Sequence, residues 1–252
     1  MKVVVITGGG SGLGRSLARA FAADGHQLVL MGRTLHKLET VAREIGRDAM
    51  PVYCDVGSTD DVRHAFEEIA ERYGAIDILF NNAAVFPFGR VAEVSDKDIY
   101  STIDSGLVGP ILCCRAAIPL MKRGSSIINL SSRVVERTFP GLAVYTAAKA
   151  GLEGFSRSLI EELEPSGIGV TVVRTGMMIE DEGTWDNDAV IAASANDAAA
   201  HGIDARSSPY STFASVARML RDLTELPSDI RPQLLTIRPG REPTHGAVLV
   251  SS

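Results

Sequence analysis

The feature that most constrains this chain is its start. Val3-Val4-Val5-Ile6 is a run of β-branched residues, the composition of a strand buried on both faces of a parallel sheet. Thr7 to Gly14 reads Thr-Gly-Gly-Gly-Ser-Gly-Leu-Gly and lacks the side chains to continue it, so the strand ends at Thr7. Glycines at 8, 12 and 14 accept positive φ and let backbone approach a ligand. Arg15 to Ala23 then restores helical spacing, with Leu17, Ala20 and Phe21 inward. A strand, a Gly-rich turn and a helix N-terminus aim free N–H groups and the positive end of the helix dipole out of the turn, which suits a pyrophosphate. A dinucleotide is the candidate ligand. The spacing is Gly-x-x-x-Gly-x-Gly, not the more widespread Gly-x-Gly-x-x-Gly, and glycines also close ordinary turns, so later motifs must decide.

Strand and helix patterns alternate along the chain. Gln27 to Met31 is a second apolar run, followed by Gly32-Arg33-Thr34 and an amphipathic segment to Gly46. In dinucleotide folds this strand end meets the adenosine ribose, where an acidic residue takes a 2′-hydroxyl and an arginine a 2′-phosphate. Arg33, with no Asp or Glu at positions 31 to 34, therefore points to NADP(H) over NAD(H). Met50 to Tyr53 is a third strand. It ends in Cys54-Asp55-Val56, where the Asp55 carboxylate can accept from an adenine amino group or the region can cap the next helix through Ser58 or Thr59. Asp61 to Tyr73 is a helix and Ile76 to Phe80 a fourth strand, ending in Asn81-Asn82-Ala83-Ala84. Such alternation means a parallel sheet with right-handed crossovers. Phe86-Pro87-Phe88 adds apolar surface at the functional edge, as a pocket wall or as loop packing.

Asp96 to Arg123 has helical spacing interrupted by Gly106, Gly109 and Pro110, where a kink is expected. Ser126 to Leu130 is a fifth strand ending at Ser131-Ser132, Gly141 to Glu164 a long helix, and Gly169 to Val173 a sixth strand ending at Arg174-Thr175-Gly176. Residues 177–209, rich in Ala, Asp, Asn and Gly, read as a substrate lid, with Met177, Met178 and Trp185 lining an apolar pocket. A helix from Tyr210 to Leu223 and a strand from Gln233 to Ile237 close the fold.

With 252 residues, 45% of them hydrophobic, the chain reads as one α/β domain over 1–252 and not as a disordered polymer. No apolar run approaches the length of a membrane span, and Met1-Lys2 leads straight into the first strand, so a cytoplasmic protein is expected. Cys54, Cys113 and Cys114 form no disulfide or metal framework and read as reduced, structural thiols. A formal net charge of −6 leaves no basic footprint for nucleic acid. His26, His36, His64, His201 and His245 have no metal-ligand spacing.

Tyr145 and Lys149 stand four apart and share a helix face, so a lysine beside the phenol is expected to lower its pKa and make it a general acid or base. Ser132, thirteen residues before Tyr145, can hold a substrate oxygen against the same phenol. Together with Thr-Gly-x-x-x-Gly-x-Gly and Asn-Asn-Ala, these residues make the chain resemble a short-chain dehydrogenase/reductase, over Lys2 to Gly176 and more loosely to the last strand. The resemblance implies a Rossmann-type doubly wound sheet of about seven parallel strands with helices on both faces. It implies that Tyr145 exchanges a proton with the substrate oxygen, that Lys149 also binds the nicotinamide ribose, and that Ser132 orients the carbonyl. It places Gly8, Ser11, Gly12, Leu13, Gly14, Arg33, Thr34, Asp55, Val56, Asn82, Ala83, Ala84, Tyr145, Lys149, Thr175, Gly176 and Met178 around the cofactor.

Four departures from the family pattern stand out. Gly106 occupies the position of an asparagine that supports a proton-relay water, and Ala84 replaces a glycine. Thr175-Gly176 replaces Pro-Gly, with Glu180 where a threonine often contacts the cofactor amide, and Arg238-Pro239-Gly240 replaces a common Gly-Gly. The expected activity is NADPH-dependent reduction of a mostly apolar ketone, or the reverse oxidation, by a homodimer or homotetramer. The alternatives are an NAD-linked alcohol dehydrogenase and a cofactor-binding protein with a sensor, dehydration or cyclisation role, which Gly106 motivates. Arg133 and Arg137, just past Ser132, pair with an acidic substrate or stay solvated.

Overall fold

In the computed structural model, which describes residues 1–46, 49–179, 199, 209–227 and 229–240, strand β1 (Val3–Thr7) lies inside a seven-stranded parallel sheet. Its β-branched side chains alternate between the two faces, and Val4, Val5 and Ile6 have no exposed surface. The other strands of that sheet follow in β2 (Gln27–Gly32), β3 (Met50–Tyr53), β4 (Ile76–Asn81), β5 (Met121–Ser132) and β6 (Gly169–Thr175). Met178–Ile179 (β7) and Ser211–Thr212 (β8) form a small separate pair, and β9 (Leu234–Thr236) completes the main sheet. The order is β3-β2-β1-β4-β5-β6-β9. It reverses direction between β1 and β4, the switch point at which open α/β sheets bind ligands.

Helices cover both faces. On one, α1 (Gly12–Ala23) and α2 (Leu35–Glu44) bury Leu17, Phe21 and Leu38 against Ile6, Leu30 and Phe80. Helix α3 (Thr59–Tyr73) on the other face buries Phe66 and Ile69 against Val5, Val29 and Leu79. Each such large side chain contributes about 1.5–3 kcal/mol. Ser58 caps α3 by accepting from the Asp61 N–H at 3.2 Å, so this helix begins two residues before its apolar pattern does.

The stretch from Asp96 differs from expectation in two ways. Helix α4 (Asp96–Ile103) runs into a π-helical turn, Asp104–Val108, then α5 (Gly109–Ala117) and a 3-10 turn, Ile118–Leu120. The Pro110 ring would strike the carbonyl four residues back in a regular helix; the wider turn carries that carbonyl aside, with the Gly109 N–H reaching Asp104 O instead. Met121–Arg123, expected to continue the helix, instead begin β5, where Met121 pairs with Ile76. An 18-residue window within Asp96–Leu120 has a mean hydropathy of 1.4, enough by length and composition alone to cross a membrane, contrary to the sequence expectation. Here its residues Leu112, Cys113, Cys114 and Ala117 are buried in the core beneath the sheet.

Helix α6 (Ala143–Leu163) packs beside β5 and β6, and α7 (Phe213–Leu223) beside α1. The last helix thus starts three residues later than its pattern suggested, because Ser211–Thr212 pair with Met178–Ile179. Most of the expected lid, with Glu180 and Trp185, lies outside the described residues, as do His201 and His245.

Candidate active site

The loop after β1 is shaped by close approaches that only glycine permits. Gly8 has φ +68°, and a Cβ there would lie 3.0 Å from Asn82 Nδ2 and 3.1 Å from Ala83 Cα. At Gly14 a Cβ would collide with the Gly8 carbonyl. The ends of β1 and β4 are also tied together. Thr7 Oγ1 donates to Phe80 O at 3.2 Å and accepts from the N–H groups of Asn82 and Ala83, both at 3.0 Å. Asn82 Nδ2 donates to Thr7 O at 2.9 Å, so this amide braces the loop. Thr7 was missed in the sequence, where it read only as the end of a strand.

Helix α1 opens with Ser11 as N-cap, extended, exposed, and without a side-chain bond to the first turn. The first-turn N–H groups lack intrahelical acceptors, leaving an uncapped positive end. Leu13 is buried in the core, so only its backbone is available there. Gly12 (φ +50°) lies under Phe213, whose Cζ is 3.4 Å from the place of a Cβ.

Beside this loop, over the switch point, a cleft of ≈ 490 Å³ is lined by Gly8, Arg33, Asp55, Val56, Ala83 and Ala84 among others. All six were expected at the cofactor. Thr34, the exposed N-cap of α2, lies outside its lining. Arg33 Nη1 stands 4.0 Å from Asp55 Oδ2, and the arginine side chain is 56% exposed, free to turn toward an anion. Asp55 Oδ1 accepts from the Gly57 N–H at 3.0 Å. Lys97, Tyr100, Ser101, Asp104 and Ser105 also line the cleft and were missed. Their spacing, three or four apart along one helical stripe, is the signal that would have found them.

The second centre lies where β5 ends against α6. Ser132, the last residue of β5, accepts from the Val134 N–H at 3.3 Å through Oγ, and its hydroxyl lies close enough to the Tyr145 phenol to favour the phenolate. Lys149, one turn further along α6, is 2% exposed; its Nζ donates to Leu130 O at 2.7 Å and lies 5.7 Å from the centre of the Tyr145 ring. The three groups expected to act together are therefore together. Their electrostatics differ from expectation. Burial pushes the Tyr145 phenol up to about 12, with the Ser132 hydroxyl pulling the other way, and burial pushes Lys149 down to about 8. The lysine does not lower the phenol as spacing suggested, because it is itself desolvated and directs its ammonium at a strand carbonyl.

Phe86 stacks at a tilt on Tyr145, ring centres 5.6 Å apart, and Phe88 packs on Gly141 just before α6. Beyond Tyr145, Thr175 Oγ1 donates to Ser131 O at 3.3 Å, and Met178 sits in the β7–β8 pair. Gly176 is overlain by Pro239, whose Cδ would be 2.5 Å from a Cβ there. A buried polar chain, also missed, runs beneath: Asn81 Nδ2 to Asn129 Oδ1 at 2.8 Å, and Asn129 Nδ2 to Ser156 Oγ at 2.8 Å.

The chain thus has a switch-point cleft with a Gly-rich first loop and, outside that cleft's lining, a Ser-Tyr-Lys centre on β5 and α6, and the short chain dehydrogenase family model matches residues 2–184. The chain belongs to that family. A 3-oxoacyl-[acyl-carrier-protein] reductase of Bos taurus is 35% identical over 182 residues, covering 71% of this chain and 77% of the relative. Among solved structures, a short chain dehydrogenase from Burkholderia cenocepacia in complex with NADP superposes with a TM-score of 0.80 at 28% identity, covering 95% of this chain and 97% of the other. An alcohol dehydrogenase from Thermococcus sibiricus complexed with 5-hydroxy-NADP gives a TM-score of 0.78 at 27% identity, covering 94% and 96%. As in other short-chain dehydrogenases, the fold is a Rossmann-type doubly wound sheet.

Proposed function

We propose that this short-chain dehydrogenase reduces a mostly apolar ketone with NADPH, Tyr145 giving the proton to the carbonyl oxygen. The residues fit the cofactor: an uncapped α1 N-terminus for the pyrophosphate, Asp55 and Val56 for the adenine side, and the exposed Arg33 for a 2′-phosphate. Similar proteins solved with NADP support that choice. When bound, NADPH supplies the hydride.

The observation that carries the reading is the gathering of the Ser132 hydroxyl, the Tyr145 phenol and the Lys149 ammonium, the last 5.7 Å from the centre of the Tyr145 ring. Two hydroxyls at the adjoining ends of β5 and α6 can converge on one substrate oxygen, Ser132 orienting it and Tyr145 protonating it. Burial raises the Tyr145 phenol above its ordinary range, so at neutral pH it carries the proton that the reduction needs. Lys149, whose ammonium lies 5.7 Å from the centre of the Tyr145 ring, would hold the nicotinamide ribose. Phe86, half-exposed against Tyr145, offers an apolar wall to the substrate. The protein is taken as a homodimer or homotetramer, with Tyr100, 68% exposed on α4, on a face open to a second copy; light scattering measures it.

The experiment is to follow NADPH and NADH consumption over a panel of aliphatic and aryl ketones and a 3-oxoacyl thioester, for wild type and Tyr145→Phe. Tyr145→Phe should bind NADPH normally and lose about 10²–10⁴-fold in rate. A rate that survives this substitution would sink the assignment. A second reading, a non-redox catalyst or sensor, is favoured by one observation: Gly106 offers no amide, and a Cβ there would lie only 3.1 Å from Ala148 Cβ. Tight NADPH binding with no turnover across the panel would favour it.

A further inference from the structure

Tyr145, Lys149 and Glu153 stand at successive four-residue intervals on one face of α6, and each adjoins one of three consecutive residues of β5. Tyr145 lies beside Ser132, Lys149 Nζ donates to Leu130 O at 2.7 Å, and Glu153 Oε1 accepts from Ser131 Oγ at 2.7 Å. The first two belong to the site already described. Glu153, 4% exposed, does not, and a buried carboxylate must be matched by charge and hydrogen bonds.

Its match is Arg174, from the end of β6. Arg174 Nε donates to Glu153 Oε1 at 2.8 Å and Nη2 to Oε2 at 2.6 Å, a two-pronged pairing. The third nitrogen, Nη1, donates to Glu136 Oε1 at 2.8 Å, which also accepts from Thr236 Oγ1 of β9 at 3.0 Å. Glu136 closes the short turn Arg133–Val135 that follows Ser132. One guanidinium therefore holds both flanks of Ser132: residue 131 through Glu153, and residue 136 directly. Burial pushes the Glu153 carboxyl up, but the bonds from Arg174 and Ser131 outweigh it and hold it below its ordinary range, so the pair stays charged at neutral pH.

We propose that Arg174 and Glu153 are positioning residues that fix Ser132 against Tyr145 for the reduction. A buried ion pair adds little net stability over apolar residues of similar volume, so stability alone gives weak reason for this one. Geometry gives a strong one, since small displacements of an orienting group cost large factors in rate. The proposal rests on the carbonyl-reductase reading of Ser132 and Tyr145.

The test uses Arg174→Met, Glu153→Met, the double variant and Arg174→Lys, with kcat expressed per NADPH-binding protein. Each single Met variant should lose about tenfold or more in kcat with KM and NADPH affinity within about twofold. The double should fall no further than the singles, and Arg174→Lys should recover part of the loss. Because a lone buried charge can prevent folding, Glu136→Gln, at the more exposed outer arm, is read in the same way. Unchanged kcat in whichever variants fold, beside an active wild type, overturns the proposal. A wild type that reduces nothing overturns the functional reading instead. The clamp is then judged by amide hydrogen exchange over residues 131–136, which should quicken in Glu136→Gln or Arg174→Met; unchanged exchange rejects it.

Discussion

Replacing Lys149 by Met should make the protein more stable at neutral pH while abolishing its reductase activity. The ammonium is 2% exposed and its pKa falls from 10.5 to about 8 through burial, which amounts to a cost of about 3 kcal/mol for keeping it charged in the folded state. The bond it donates to Leu130 O, 2.7 Å long, is lost in the variant, and that returns about 1–2 kcal/mol. The net expectation is a gain of about 1–2 kcal/mol at pH 7, or several degrees in melting temperature. The sign of the pH dependence follows from proton counts. Between about pH 8 and 10.5 the unfolded chain holds the lysine proton and the folded one does not, so this group makes stability rise with pH there. Tyr145 acts oppositely: between about pH 10 and 12 the folded protein keeps the phenolic proton, and stability falls. Cys54 and Cys114, pushed up to about 12 by burial, also act against stability above about pH 9. Melting curves of wild type and Lys149→Met across this range, subtracted at each pH, cancel those shared groups. The variant's advantage should be full below about pH 8 and should shrink as pH rises toward 10.5. A variant less stable than wild type at pH 7, or a difference that stays flat, refutes the view that burial governs this lysine.

Arg33→Ala should weaken NADPH binding about tenfold and leave NADH binding unchanged; the arginine is 56% exposed, so its charge-assisted contact is taken at the low end, about 1–2 kcal/mol, and calorimetric titration with both cofactors measures it. Gly14→Ala, which drives a methyl into the Gly8 carbonyl and to 2.9 Å from Asn82 Nδ2, should cost about 1–3 kcal/mol and abolish NADPH binding; melting and fluorescence titration check both, and normal binding would remove the close-packing account of this loop.

Much of this was legible because the chain repeats one local rule. β-Branched runs become strands, and they end where glycine or asparagine makes the next turn, so β1, β2, β4 and β6 fell within a residue or two of their patterns. Residues placed by the backbone or by a helical stripe were also readable in position, as at Gly8, Gly14, Ser132, Tyr145 and Lys149. What escaped depends on contacts distant in sequence. Met121-Lys122-Arg123 continues a helical composition, yet pairing with Ile76 draws it into β5. Glu153 looks like one more polar position on a helix, and its partner Arg174 lies on another element, twenty-one residues on. The pKa relation of Tyr145 and Lys149 was misjudged for a similar reason: spacing shows that two groups are near but not that both are dry.

Gly106 joins these observations. Residues on the π turn and α5 approach their neighbours at distances that admit almost no side chain. A Cβ at Gly106 would lie 3.1 Å from Ala148 Cβ, one at Gly109 2.7 Å from Val56 Cγ2, and one at Gly151 of α6 2.9 Å from Leu107 Cδ2. The missing amide is therefore tied to packing: the π turn that accommodates Pro110 brings the backbone close to α6 one residue before Lys149, and an asparagine there would force the two apart. Lys149 meanwhile reaches Leu130 O directly, and Ser131 of the same strand end is held by Glu153. On the proposed mechanism, the geometry of that strand end, with the Arg174 clamp behind it, takes over the alignment of Ser132 and Tyr145.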